Sequence, residues 1–194
     1  MTETFDHLFG GYYKAKARRW RNPDGSTGGI VGVDATIDST LTIPTDAVVW
    51  PRASIAPRAS IGPRASIGDG ASIWYGASIG YGASIGDGAS IGYGASIGPR
   101  ASIGPRASIG DGDWWLSGGP CGSRNAFWTA VWSNAHGLRW WIGCQHGIST
   151  SQLRERIKAD HGDNDHAQDY GAVIAFVESH PGLTRVQAKV KGAP

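Results

Sequence analysis

The tripeptide Ala-Ser-Ile occurs ten times between Ala53 and Ile109, always six residues apart. The same aliphatic position continues upstream through Val49, Ile43, Ile37 and Val31, so fourteen hexads run from Val31 to Trp114. An α-helix cannot keep one face to a six-residue period, and each interior glycine would cost it about 1 kcal/mol. A short strand followed by a corner fits. Within Ala-Ser-Ile-Gly successive side chains point to opposite sides, so Ala and Ile share one face and Ser and Gly the other. The two remaining positions read Pro-Arg, Asp-Gly or Tyr-Gly. These are turn residues: proline presets one dihedral and glycine tolerates positive φ. Strand and corner in alternation build a prism filled by isoleucine and coated with serine and glycine.

These tandem hexads, residues 31–114, resemble the hexapeptide-repeat, left-handed parallel β-helix superfamily, the bacterial transferase hexapeptide proteins. The resemblance implies a left-handed coil, three hexads per turn and a homotrimer. The expected fold is therefore an all-β left-handed parallel β-helix of fourteen hexads, under five turns. Residues 1–30 are expected as an N-terminal cap and 115–194 as a small C-terminal α+β cap. An 18-residue turn would stack the corners as ladders. One holds Asp34, Arg52, Asp69, Asp87 and Arg106, another Thr40, Arg58, Tyr75, Tyr93 and Asp111, and the third Asp46, Arg64, Tyr81 and Arg100. Tyr75 over Tyr93 reads as an aromatic pair that stiffens the coil. Asp69 beside Asp87 reads as ordinary turn chemistry offset by Arg52 and Arg106. Trp74 replaces the outward glycine of the later hexads, and a large indole on a Ser/Gly face is expected at a subunit interface.

Charge narrows the partners. The 18 basic and 16 acidic side chains nearly cancel and are evenly spread, which argues against a nucleic-acid polymer as ligand. The basic aromatic segment YYKAKARRWR near the N-terminus reads as part of the cap, and Asn22-Pro23-Asp24-Gly25 as a turn within it. No apolar run approaches the eighteen or so residues of a membrane span, and MTETFDHLFGG lacks the basic start and apolar run of a signal peptide. A cytoplasmic protein is expected, with Cys121 and Cys144 as reduced thiols.

The resemblance also implies acyl transfer, because enzymes of the superfamily commonly use a histidine as general base. Here the fourteen hexads contain no histidine and no insertion that could extrude a donor-binding loop. Histidine metal ligands from the coils, as in the related carbonic anhydrases, are absent for the same reason. His7, His136, His146, His161, His166 and His180 all lie outside the repeat. If the chain is an enzyme, His146 or His166 is the candidate base. No cofactor is expected. Cys144, His146, His161 and His166 match no zinc-ligand spacing, so no metal is expected either.

Beyond the repeat the composition changes, and six of the nine tryptophans lie between Trp114 and Trp141. Alternation over Ser123–Trp132 and Leu138–Cys144 predicts a hairpin. Ser149 with Gln152 forms a capping-box pattern that opens a helix. A second helix is predicted from about Asp165, with Tyr170, Val173, Ile174 and Val177 at helical spacing and Pro181 ending it. Val186, Ala188 and Val190 alternate with polar residues, predicting a final strand.

Two polar segments stand out in this half. Cys121-Gly122-Ser123-Arg124-Asn125 is a glycine-rich turn followed by a forked cation and an amide, a pattern suited to phosphate or carboxylate. His161-Gly162-Asp163-Asn164-Asp165-His166 joins the two helices. The candidate ligand-binding residues are Ser123, Arg124, Asn125, Trp141, His161, Asp163 and His166. Through Gly122–Asn125, Gly143-Cys144, His161–Asp163 and His166 this half resembles hexapeptide-repeat proteins carried by phages and prophages, a group of unassigned function. The expected function is a non-catalytic homotrimer that binds a small anionic, nucleotide-type ligand. Phage carriage would make sequestration of a host nucleotide signal its task, in the host cytoplasm. The alternatives are an acyl- or acetyltransferase using acyl-CoA, and a structural or virion-assembly component.

Overall fold

A computed structural model of the chain describes residues 3–190. Met1, Thr2 and residues 191–194, which the expected caps include, lie outside the described residues. The chain divides into two compact units, residues 1–111 and 112–194.

The first unit is a parallel β-solenoid of about 4 turns. Its two-residue strands recur on three faces. One face carries Thr36–Ile37, Ser54–Ile55, Ser72–Ile73, Ser90–Ile91 and Ser108–Ile109. A second carries Ser60–Ile61, Ser78–Ile79 and Ser96–Ile97. The third carries Val48–Val49, Ser66–Ile67, Ser84–Ile85 and Ser102–Ile103. Ser78 pairs with Ser60 on one side and Ser96 on the other, so one turn is 18 residues and three hexads. The alanines and isoleucines fill the interior and the serines line the outside, as the alternation requires.

The corners add something the sequence pattern conceals. Arg52, Arg58, Arg64, Arg100 and Arg106 all adopt left-handed backbone, with φ between 58 and 60°. Two of them, Arg100 and Arg106, share an inter-coil hydrogen bond with the corner glycines, while the Arg64 N–H donates to the Asp46 carboxylate at 3.0 Å. In the later coils the backbone N–H at this position donates to the preceding coil's corner carbonyl, as in Gly82 to Pro63, Arg100 to Tyr81 and Arg106 to Asp87, each at 2.8 Å. The corner keeps positive φ whether glycine or arginine occupies it, at about 1–2 kcal/mol for each arginine. Arg58 over the Tyr75 ring at 5.3 Å and Arg64 over Tyr81 at 5.6 Å each recover about 0.5–1 kcal/mol. Tyr75 and Tyr93 meet at 5.9 Å between centroids. Asp69 accepts a bond from Arg52 and donates its backbone N–H to Asp87. The Trp74 indole, 46% exposed, donates to Ser90 at 3.0 Å and lies against Tyr93, so it has partners within its own chain.

The first thirty residues join the solenoid by pairing. Strands Thr4–Phe9, Tyr13–Arg21 and Thr27–Gly32 run antiparallel, and the last lies parallel beside Val48–Val49. One expected hexad forms no strand. Ile43 is fully buried, but its N–H donates to the Asn22 side chain at 2.9 Å. The Trp20 indole donates to the Leu41 carbonyl at 3.0 Å. Here the N-terminal segment uses side chains to satisfy backbone groups that a ladder satisfies elsewhere.

The second unit departs further from expectation. In place of a lone hairpin, it has a four-stranded antiparallel sheet in the order Trp114–Cys121, Ala126–Ser133, Gly137–Ile142 and Gln145–Ser149. Three helices follow: α1 (Thr150–His161), α2 (Asp165–Glu178) and α3 (Pro181–Val190). Ser149 and Gln152 form the expected capping box on α1. The predicted final strand is the helix α3. Pro181 opens it instead of merely ending α2, which suits a residue whose missing N–H is not needed in the first turn. The His180 ring accepts the Gly182 N–H at 3.0 Å. Trp128, Ala130, Trp140 and Ile142 from the sheet pack with Leu153, Tyr170, Ile174 and Val177 from α1 and α2. Among the described residues, no helix is long and apolar enough to cross a membrane.

Candidate functional site

The second unit contains a cleft of about 350 Å³. Two sheet turns and the C-terminal part of α1 build it. The first turn is Gly122–Asn125, closed by Asn125 N–H donating to the Gly122 carbonyl at 3.0 Å. Gly122 and Asn125 both take left-handed backbone, with φ of 64 and 49°. Asparagine tolerates this better than most side chains. The turn presents Ser123 and Arg124 to the cleft, and the opposite turn presents Cys144 and Gln145. Helix α1 adds Arg156, Asp160 and His161.

Tyr170 sets the depth of the site. It is buried in the core, and the His161 ring stacks on it at 5.6 Å with planes 28° apart. Gly122 presses against the same phenol: a Cβ there would lie 2.0 Å from Tyr170 Cζ. Glycine therefore lets the turn close down until Ser123 Oγ stands 3.4 Å from His161 Nε2. Arg156 donates to the Gln145 side-chain carbonyl. No acceptor among the described residues engages the exposed Arg124 guanidinium.

Of the seven residues proposed from sequence, Ser123, Arg124 and His161 line the cleft. His166 meets it only through the edge of His161, at 5.7 Å between centroids. Asn125 acts as a backbone turn residue. Asp163 lies instead at a shallow depression between α1 and α2, with Arg154 and Lys158. Trp141 is buried, and as a strand neighbour of Trp140 and Ile142 it points to the opposite side of the sheet from the helices. The suggested bases fare differently. His146 lies outside the cleft lining, and its buried Nδ1 has no partner among the described residues. No three His, Cys, Asp or Glu side chains among the described residues converge as a metal site. Arg156, Asp160 and Tyr170 were missed. The first two could have been found by extending the Ser149 capping box along its helix, because Leu153, Arg156, Ile157 and Asp160 recur at three- to four-residue spacing.

The two cysteines differ in environment and both are free thiols. Burial, and secondarily the Asp169 carboxylate, pushes the Cys121 thiol above its ordinary range. Cys144 is exposed in the cleft and accepts from Gln145 at 3.4 Å. A raised thiol has less reactive thiolate at a given pH. Iodoacetamide at pH 8 should therefore modify Cys144 at least about tenfold faster than Cys121, as read by peptide mapping over time. Equal rates would contradict this arrangement.

No family model matches the chain, and no curated protein does.

Proposed function

We propose that this chain is a left-handed hexapeptide-repeat protein, assembled as a homotrimer, that binds a small anionic ligand of nucleotide type. The cleft carries the reading: two guanidinium groups, a hydroxyl, an amide and an imidazole converge on one cavity large enough for a small molecule. Arg124 supplies the forked donor geometry that suits phosphate or carboxylate. The amide of Gln145 holds Arg156 by its side chain, which limits the entropy lost when an anion docks. His161 over Tyr170 provides an aromatic wall at the inner end. Asp160 on the rim selects against ligands that crowd it with negative charge.

Calorimetry against a panel of nucleotides, cyclic ones included, tests the proposal. At least one should bind wild type. Arg124→Ala should weaken that binding about 10- to 100-fold, the loss expected for one charge-assisted pairing of about 1.5–3 kcal/mol. No binding by wild type would overturn the proposal, as would full affinity in Arg124→Ala.

A further inference from the structure

The first unit carries a second concavity of different chemistry. The turn between its first two strands rests on Trp50, which takes an outward position that glycine fills in other coils. A Cβ at Gly10 would lie 2.9 Å from the indole. Gly10 and Gly11, with φ of 56 and 81°, let the turn fold over the ring and hold Tyr12 out, 76% exposed. Tyr12 meets the indole at 5.9 Å and 51°, while Tyr13 stacks nearly parallel to it at 6.3 Å. Phe9 is buried 5.4 Å from Trp50, and the indole N–H donates to Ser66 at 3.3 Å. The indole is thus held in place, and Tyr12 stands beside it as an exposed ledge.

A depression of about 240 Å³ opens beneath that ledge, floored by Ser84, Gly86, Asp87 and Pro105. One Asp87 oxygen accepts the Asp69 N–H at 2.9 Å. The other has no partner among the described residues, nor has the exposed Ser84 hydroxyl. Charge at this corner balances: Arg52 pairs with Asp69, and Arg106 follows Pro105 in the coil stacked on Asp87. A ligand with strong net charge of either sign gains little from such a balanced corner. Two angled aromatic rings beside a free carboxylate oxygen and a free hydroxyl suit a ring that is apolar on its face and polar at its edge. We infer that this depression binds the neutral pyranose ring of a saccharide, with Tyr12 and Trp50 against its C–H face and Asp87 and Ser84 receiving its hydroxyls. This site is separate from the anion cleft and stands or falls independently of it.

Saturation-transfer difference NMR on the full chain would test this. The probes are methyl glucoside, methyl galactoside, N-acetylglucosamine and cellotriose, with choline as a cationic control. At least one sugar should show transfer to its ring C–H protons. Tyr12→Phe should retain the signal, Tyr12→Ala should reduce affinity at least tenfold, and Ser84→Ala should reduce it severalfold. Thermal melts and sedimentation of each variant should match wild type. The inference is overturned if no sugar gives transfer, if Tyr12→Ala binds as wild type does, or if choline alone binds. It is equally overturned if Tyr12→Ala dissociates an oligomer, because the ledge would then be a contact between copies of the chain.

Discussion

Gly122→Ala is expected to cost about 2–5 kcal/mol of stability and to abolish anion binding in the same variant. Two independent penalties combine. The left-handed backbone at Gly122 costs an L-residue about 1–2 kcal/mol. The new methyl would also sit 2.0 Å from Tyr170 Cζ and 2.3 Å from its hydroxyl, a collision with a buried ring worth about 1–3 kcal/mol. Relief requires the turn to lift, which separates Ser123 from His161 and carries Arg124 off its wall. Gly137→Ala is the matched control, because φ is 66° there and nothing lies within 4 Å of a new Cβ. It should lose only the backbone share, about 1–2 kcal/mol, and leave binding intact. Urea unfolding of both variants, followed by calorimetry with whichever nucleotide binds wild type, makes the comparison. Equal losses would mean that Gly122 matters only for its backbone.

Most of the solenoid was legible because a repeat states its own geometry. Once Ala and Ile are placed inside and the corner residues recognised, the period leaves little freedom. The Pro-Arg corners show the limit of that reading. Glycine announces positive φ, whereas Arg100 gives no such signal and adopts it at a corner where its N–H reaches Tyr81 in the neighbouring coil. Ile43 shows another limit: its hexad keeps the aliphatic residue yet loses the strand, because Asn22, far away in sequence, supplies the bond. In the second unit no repeat multiplies the signal. Val186 and Ala188 alternate as a strand would, but they equally suit a helix opened by Pro181, and the helix prevails. The Ser123–Arg124 turn could be singled out from its residue types alone. Tyr170 could not, because what makes it part of the cleft is tertiary packing of α2 against the sheet.

Within the solenoid, chemically similar substitutions should have unequal effects. Ile79 is fully buried, with paired rungs at Ile61 and Ile97 on either side. Ile79→Ala leaves a cavity that stacked backbones cannot collapse into, because every neighbouring strand is held by its own ladder. The expected cost is about 3–5 kcal/mol, the upper part of the range for such truncations. Ile37 occupies the same hexad position at the end of its sheet, is only partly buried, and pairs with a single rung at Ile55. It removes less surface from water, and its surroundings are freer to relax, so Ile37→Ala should cost about 1–2 kcal/mol. Urea titrations of the two variants, with unchanged slopes, would read the difference directly. In a stack where each coil touches only its neighbours, an interior defect also uncouples the segments on either side. Ile79→Ala should therefore broaden the transition or split it in two, and Ile37→Ala should shift a single transition. Identical shifts from both variants would mean that the coils unfold as one block whose stability does not depend on where the core is breached.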